Sequence, residues 1–359
     1  MKDLIDVPAP AIPVAEAIAA NLSRVIETFD RAVASDVPPV KQLVAHVEHY
    51  RGKMLRPIMV LACGMAAHPG AAGAATGQGL GSALAQWSAL LTREHMVCAA
   101  VVEMVHMATL VHDDVLDEAD VRRRGKTVNA LEGNEAAVIL GDYLIAAAYA
   151  LCSSLDTPHA SREIGDAARV VCSGELLQLS NRGNFDLPRA TYDQIVDMKT
   201  AALIACACRL GAWASGAQPN VIYALGQFGR EIGIAFQIQD DVLDLTGDQS
   251  VVGKSVRKDL EKGKLTLPLI HHLENAPDRG RSLALLRELS TPSEIHTPAH
   301  DRALAELLAG VEATKSVGAA RDQAQQLVAS AVGRLDAIDA SPARELLVAT
   351  ALAVVGRAF

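Results

Sequence analysis

Asp113, Asp114 and Asp117 belong to a pentapeptide, DDVLD, that returns at 240–244 with Asp240, Asp241 and Asp244. Each copy closes an apolar run, "VVEMVHMATLVH" before the first and "GIAFQIQ" before the second. On a helix, residues three, four and seven apart share a face. That spacing puts Glu103, His106, Asp113 and Asp117 on one stripe, and Gln237, Asp241 and Asp244 on another. Carboxylates stacked at this spacing repel one another unless a cation neutralises them. Oxygen-only ligands favour Mg²⁺ or Mn²⁺ over zinc or copper, and Mg²⁺ fills its shell with water and phosphate oxygens. Two facing carboxylate sets with a phosphorylated substrate between them are the chemistry expected.

Basic side chains recur beside each cluster. Arg122, Arg123 and Arg124 follow the first; Lys254, Arg257, Lys258, Lys262 and Lys264 follow the second. Lys199 and Thr200 open an otherwise apolar helix, and "YRGKMLRP" groups Arg51, Lys53 and Arg56. Singly these are ordinary surface charges; together they read as a phosphate clamp. A di-iron bundle needs paired Glu-x-x-His motifs, and "EMVH" (103–106) occurs once. Neither cluster has the alternating acids of an EF-hand loop. "GDQSVVGKS" (247–255) has five residues between its glycines, one too many for a P-loop, and follows a helix.

The elements that must position these groups are helical. Half of the 359 residues are apolar and only 3% aromatic, which suits close-packed helices. A net charge of −9 gives no support to nucleic-acid binding. The six cysteines form no CxxC pair and read as buried thiols of a reducing, cytoplasmic compartment. The N-terminus carries no signal pattern, and the most apolar run, "YLIAAAYALC", is too short to span a bilayer. Helical periodicity predicts helices near 12–34, 40–67, 82–114, 134–154, 160–181, 191–215, 219–245, 264–275, 280–290, 300–335 and 341–357. No break is long enough for a domain linker, so one all-α domain over 1–359 is expected. It would comprise an extension (1–39), a motif-bearing core (40–270) and C-terminal packing helices (271–359).

The motifs resemble those of the trans-type isoprenyl diphosphate synthases, or polyprenyl synthetases. Beyond the two DDVLD motifs, the resemblance rests on "GKMLRP" (52–57), "KT" (199–200), "FQIQDD" (236–241) and "GKSVRKDLEKGKLTLP" (253–268), collinear over 40–270. It implies the isoprenoid synthase fold, a bundle of ten or more helices around a central cavity, usually as a homodimer. Carried over, Asp113, Asp114, Asp117, Asp240 and Asp244 hold Mg²⁺ on an allylic diphosphate, with Asp241 in support. Arg122, Lys199, Lys254 and Lys264 grip that diphosphate. Lys53, Arg56, His106 and Arg123 bind isopentenyl diphosphate, and Thr200 and Gln237 stand beside the developing cation. Shifting the alignment by one residue makes Arg123 and Arg124 the functional pair instead. Where the family carries a glycine and an arginine, this chain has Arg51 and Met54; Arg257 also replaces a glycine. Met54 is expected to weaken homoallylic binding.

The implied reaction is Mg²⁺-dependent head-to-tail condensation of an allylic diphosphate with isopentenyl diphosphate. Diphosphate departs, the double bond attacks the allylic cation, and a proton leaves. In short-chain members a bulky aromatic four or five residues before the first aspartate closes the tunnel. Here Ala108 and Thr109 are small, so the tunnel is expected to run on toward Val105, Met104 and Val101. A product of C20 or longer follows, hydrophobic enough to draw the enzyme to membranes. The alternatives are a geranylgeranyl or farnesyl diphosphate synthase, a terpene cyclase, a head-to-head synthase, and a non-catalytic subunit of a heteromeric synthase.

Overall fold

The computed structural model describes residues 6–71, 80–122, 125–247, 258–290 and 298–356. The described residues are helical almost throughout: α1 (Ile12–Val33), α2 (Pro38–Val47), α3 (Leu55–Ala67), α4 (Leu80–Ala89), α5 (Arg93–Leu116), α6 (Val128–Cys152), α7 (His159–Ser180), α8 (Arg189–Val196) and α9 (Ala202–Ala214). There follow α10 (Pro219–Thr246), α11 (Lys258–Glu261), α12 (Leu267–Asn275), α13 (Arg279–Leu289), α14 (Pro298–Ala313), α15 (Ser316–Arg334) and α16 (Pro342–Val355). Their only strand pairing is a two-residue antiparallel ladder, β1 (Val121–Arg122) with β2 (Gly125–Lys126).

The helices fall into two compact units, each built from separated chain segments. The first takes Met1–Ala168, Leu203–Gly229 and Arg334–Thr350; the second takes Arg169–Ala202, Arg230–Gly333 and Ala351–Phe359. In the first unit α5 is the core helix, packed by α1, α3 and α6. Every residue from His95 to Val105 is buried. In the second, α12, α13 and α14 pack against one another behind α8.

Three of the expected long helices are broken. The stretch 40–67 splits at residues 48–54, where Met54 turns left-handed at φ 54°. The stretch 82–114 splits before Thr92, whose side chain and that of His95 form a reciprocal capping box at the start of α5. The stretch 300–335 splits at Lys315, φ 54°. Apolar residues continue on both sides of each break, so periodicity alone does not mark it.

Two further expectations need correction. "YLIAAAYALC" is the end of a longer helix, and both α5 (24 residues) and α6 (25) are long and apolar enough to cross a membrane by length and composition. The apolar window of α5 is 78% buried, as in a core helix; that of α6 is only 33% buried. Leu131, Val138, Ile139 and Tyr149 lie exposed on α6. Of the six free cysteines, Cys172 is exposed and the other five are buried.

Candidate active site

In the first unit α5 ends at Leu116, and Asp117 leaves helical geometry. The Asp117 N–H donates to the Asp113 carbonyl at 2.8 Å, and Ala119 N–H to the Asp114 carbonyl at 2.9 Å. The chain then forms the β1–β2 hairpin and returns to Thr127, whose hydroxyl donates to the Ala119 carbonyl at 2.6 Å. This closed loop brings Arg122 back to the helix end. Its Nε and Nη2 reach Asp114 Oδ1 at 2.8 and 2.7 Å. Asp114 is 1% exposed, whereas Asp113 and Asp117 are half-buried and accessible.

Tyr50 also supports this end. The Val128 N–H donates to the Tyr50 hydroxyl at 3.0 Å. Burial, with the Asp114 carboxylate close by, raises the Tyr50 phenol far above its ordinary value. Arg56 stands in the first turn of α3; burial lowers its pKa, and the charge of buried Glu103 opposes that shift. Lys53 lies exposed in the loop before α3, and His106 is half-buried on α5. Met104, Val105 and Ala108 are buried in the core; Thr109 is half-buried and donates to the His106 carbonyl at 2.8 Å. Arg123, Arg124, Lys254 and Arg257 lie outside the described residues.

The second unit holds the other cluster. Between α8 and α9 the backbone winds one π-turn over Asp197–Ala201, a distortion frequent at functional sites. Lys199 and Thr200 sit on it. Arg230 anchors its start, donating from Nη2 to Asp197 Oδ2 at 2.6 Å. Gly174 of α7 lets the turn approach: a Cβ there would meet Met198 Cβ at 2.7 Å and Lys199 N at 2.8 Å. From the same helix Glu175 pairs with the Lys199 ammonium, which donates to Gln178 Oε1 at 2.9 Å.

A directional hydrogen-bond chain joins the π-turn to α10. The Tyr192 hydroxyl donates to Asp241 Oδ2 at 2.6 Å, and Gln237 Nε2 donates to Asp241 Oδ1 at 2.9 Å. The Thr200 hydroxyl donates to Gln237 Oε1 at 2.9 Å. In this arrangement Gln237 presents its NH₂ to Asp241 and its oxygen to Thr200. Thr200 thereby spends its proton and keeps its oxygen lone pairs for whatever stands beside it.

The acids here are crowded. Burial first, then the charge of Asp259, pushes Asp241 up to about 8. The same two causes push Asp244 up to about 6, although it accepts the Lys258 and Asp259 N–H groups, each at 3.2 Å. Asp240 is half-buried. Such a cluster wants a cation. Among the described residues no three Asp, Glu, His or Cys side chains converge on one point. A metal at either cluster must therefore complete its shell from other donors, as Mg²⁺ does with water and phosphate. Beside the acids lies a cavity of about 140 Å³ lined by Tyr192, Lys199, Thr200, Gln237, Asp241 and Lys264, among others. Sequence reasoning missed Tyr50, Glu175, Gln178, Tyr192 and Asp259. Only Tyr192, two helical turns before Lys199, carried a signal, and it was faint.

Comparison with known proteins identifies the family. The Polyprenyl synthetase family profile matches residues 37–298. The chain is 36% identical over 255 residues to heptaprenyl diphosphate synthase component 2 of Geobacillus stearothermophilus, covering 71% of this chain and 73% of the relative. It is 31% identical over 325 residues to octaprenyl diphosphate synthase of Escherichia coli, covering 90% and 91%. Its fold is that of a decaprenyl diphosphate synthase crystal structure from Rhodobacter capsulatus, with a TM-score of 0.82, 29% identity, and coverage of 97% and 99%. With both aspartate motifs, the KT π-turn and matches of this extent, the chain belongs to the polyprenyl synthetase family.

Proposed function

We propose that this protein is a trans-polyprenyl diphosphate synthase. It joins an allylic diphosphate to isopentenyl diphosphate, releases diphosphate and a proton, and repeats the step to a product of C20 or longer. The observation that carries this reading is the paired placement of accessible aspartates, Asp113 with Asp117 and Asp240 with Asp244, at the ends of apolar helices. The similar proteins named above as heptaprenyl, octaprenyl and decaprenyl synthases support the longer product.

Asp113, Asp117, Asp240 and Asp244 are the residues that would hold Mg²⁺, which supplies charge stabilisation for the departing diphosphate. Asp114 and Asp241 act behind them: Arg122 occupies one, Tyr192 and Gln237 the other. Lys199 and Lys264, with Lys254, meet the allylic diphosphate; Lys53, Arg56, His106 and Arg123 meet that of isopentenyl diphosphate. Lys199 exchanges Glu175 and Gln178 for phosphate oxygens as substrate enters. Thr200 offers its lone pairs to the allylic cation, its hydroxyl proton being turned toward Gln237. Ala108 and Thr109, ahead of Val105 and Met104, leave the chain-length path open.

The exposed apolar residues of α6 support a homodimer, and the free cysteines support the cytoplasm. A second reading has the chain acting with a partner chain, because one similar protein is named as a component of its synthase. Both intact aspartate motifs favour catalysis by this chain itself. The test is incubation of the purified protein with Mg²⁺, isopentenyl diphosphate and farnesyl diphosphate, with products sized by mass spectrometry. Products of C20 or longer, abolished by EDTA, are expected; no diphosphate release under these conditions would overturn the proposal.

A further inference from the structure

Two turns distant in sequence meet at the rim of the second unit's cavity. The Gly183 N–H donates to the Gly263 carbonyl at 2.9 Å. Both glycines are left-handed, at φ 75° and 64°, where an L side chain is strained. A Cβ on Gly263 would stand 3.3 Å from Gly183 N, so the two backbones approach without side chains between them. Each turn is also tied at its own root. Arg182 N–H donates to the Leu179 carbonyl at 3.2 Å, and Lys264 N–H to the Asp259 carbonyl at 2.8 Å.

The residue before one glycine and the residue after the other, Arg182 and Lys264, both line the cavity with Lys199. Lys199 is drawn back toward Glu175, and Lys264 lies 4.0 Å from Asp259. Arg182 stands at the exposed rim. Its planar guanidinium can take two phosphate oxygens at once, which neither lysine can. The cavity of about 140 Å³ that these cations line has room for a polar head group.

We propose that Arg182 is a further substrate-binding residue, set beside Lys264 by the Gly183–Gly263 bond, and that it takes the diphosphate of the allylic substrate. The proposal rests on the diphosphate reading of the site given above. It gives a role to "NRGNFDLPR" (181–189), which the sequence alone marks only as a turn between helices.

The test uses the full-length protein and the variants Arg182→Ala, Arg182→Lys and Gly183→Ala. Calorimetry with Mg²⁺ measures binding of inorganic pyrophosphate; steady-state assays give KM for farnesyl diphosphate and for isopentenyl diphosphate. Arg182→Ala is expected to weaken pyrophosphate binding and raise the allylic KM, each about tenfold. The isopentenyl diphosphate KM and the melting temperature stay put. Arg182→Lys recovers part of the loss, and Gly183→Ala moves the same two constants in the same direction. If Arg182→Ala leaves both constants unchanged, or shifts only the isopentenyl diphosphate KM, the proposal fails while wild-type turnover keeps the diphosphate reading intact. A wild-type protein that neither binds pyrophosphate nor makes product removes that reading and the proposal with it.

Discussion

The same five letters, DDVLD, stand in two different environments, and the second aspartate shows the difference. Asp114 and Asp241 are both buried, at 1% and 4% exposure. Asp114 is neutralised by a cation that the β1–β2 hairpin delivers, whereas the described residues that hold Asp241 are the neutral donors Tyr192 and Gln237. One is an ion pair at a helix end, built for position. The other lies within a helix, where burial and the nearby charge of Asp259 favour its protonated form. Identical motifs thus leave two accessible aspartates each, with the second aspartate supported by opposite means.

The largest effect expected is common to both clusters. Asp113→Asn and Asp240→Asn should each lower kcat by at least about 10³-fold, since each removes metal-borne charge stabilisation worth several kcal/mol. Incorporation of labelled isopentenyl diphosphate measures it. Retained activity in only one variant would show that the two clusters do not share the work.

Stability should then separate them. Arg122→Ala strands a buried carboxylate and should cost about 2–4 kcal/mol in urea unfolding. Tyr192→Phe removes one hydrogen bond from Asp241 and should cost only about 1 kcal/mol. Equal costs would erase the contrast between ionic and neutral support.

Asp241 should also report itself through pH. Its folded pKa, about 8, lies above the ordinary 3.8, so between these values the native state keeps a proton that the unfolded chain sheds. The associated stability is full below 3.8 and is lost as pH rises through 8. In EDTA, calorimetric melting temperature should therefore fall across pH 5–9, and Asp241→Asn should flatten the slope. A flat wild-type profile would place the cation deficit elsewhere.

The smallest effect on activity concerns the residue one turn behind each motif: Thr109 behind the first, Phe236 behind the second. Thr109→Phe should shorten the product with little change in rate, read by product sizing. Ala108→Phe should do the same but cost about 1–3 kcal/mol, because Ala108 is fully buried. An unchanged product in both would close the question of a path along α5.

What the sequence determined by itself was everything local. Helical spacing placed Asp113 with Asp117 and Gln237 with Asp241 and Asp244, and alanine-rich periodicity declared an all-α chain. The bounds of α1, α7, α10 and α13 followed from periodicity to within one residue. Composition and motif order reached the family. The tertiary structure alone decided which of these aspartates stays accessible, because that depends on residues brought from elsewhere: Arg122 by a hairpin, Tyr192 by a separate helix. It also decided the π-turn at Lys199, since the one-position slip of an inserted residue is hidden where residues 201–208 are all apolar, and the meeting of Gly183 with Gly263. Spacing reads the chain one turn at a time; a buried charge is settled by whatever folds against it.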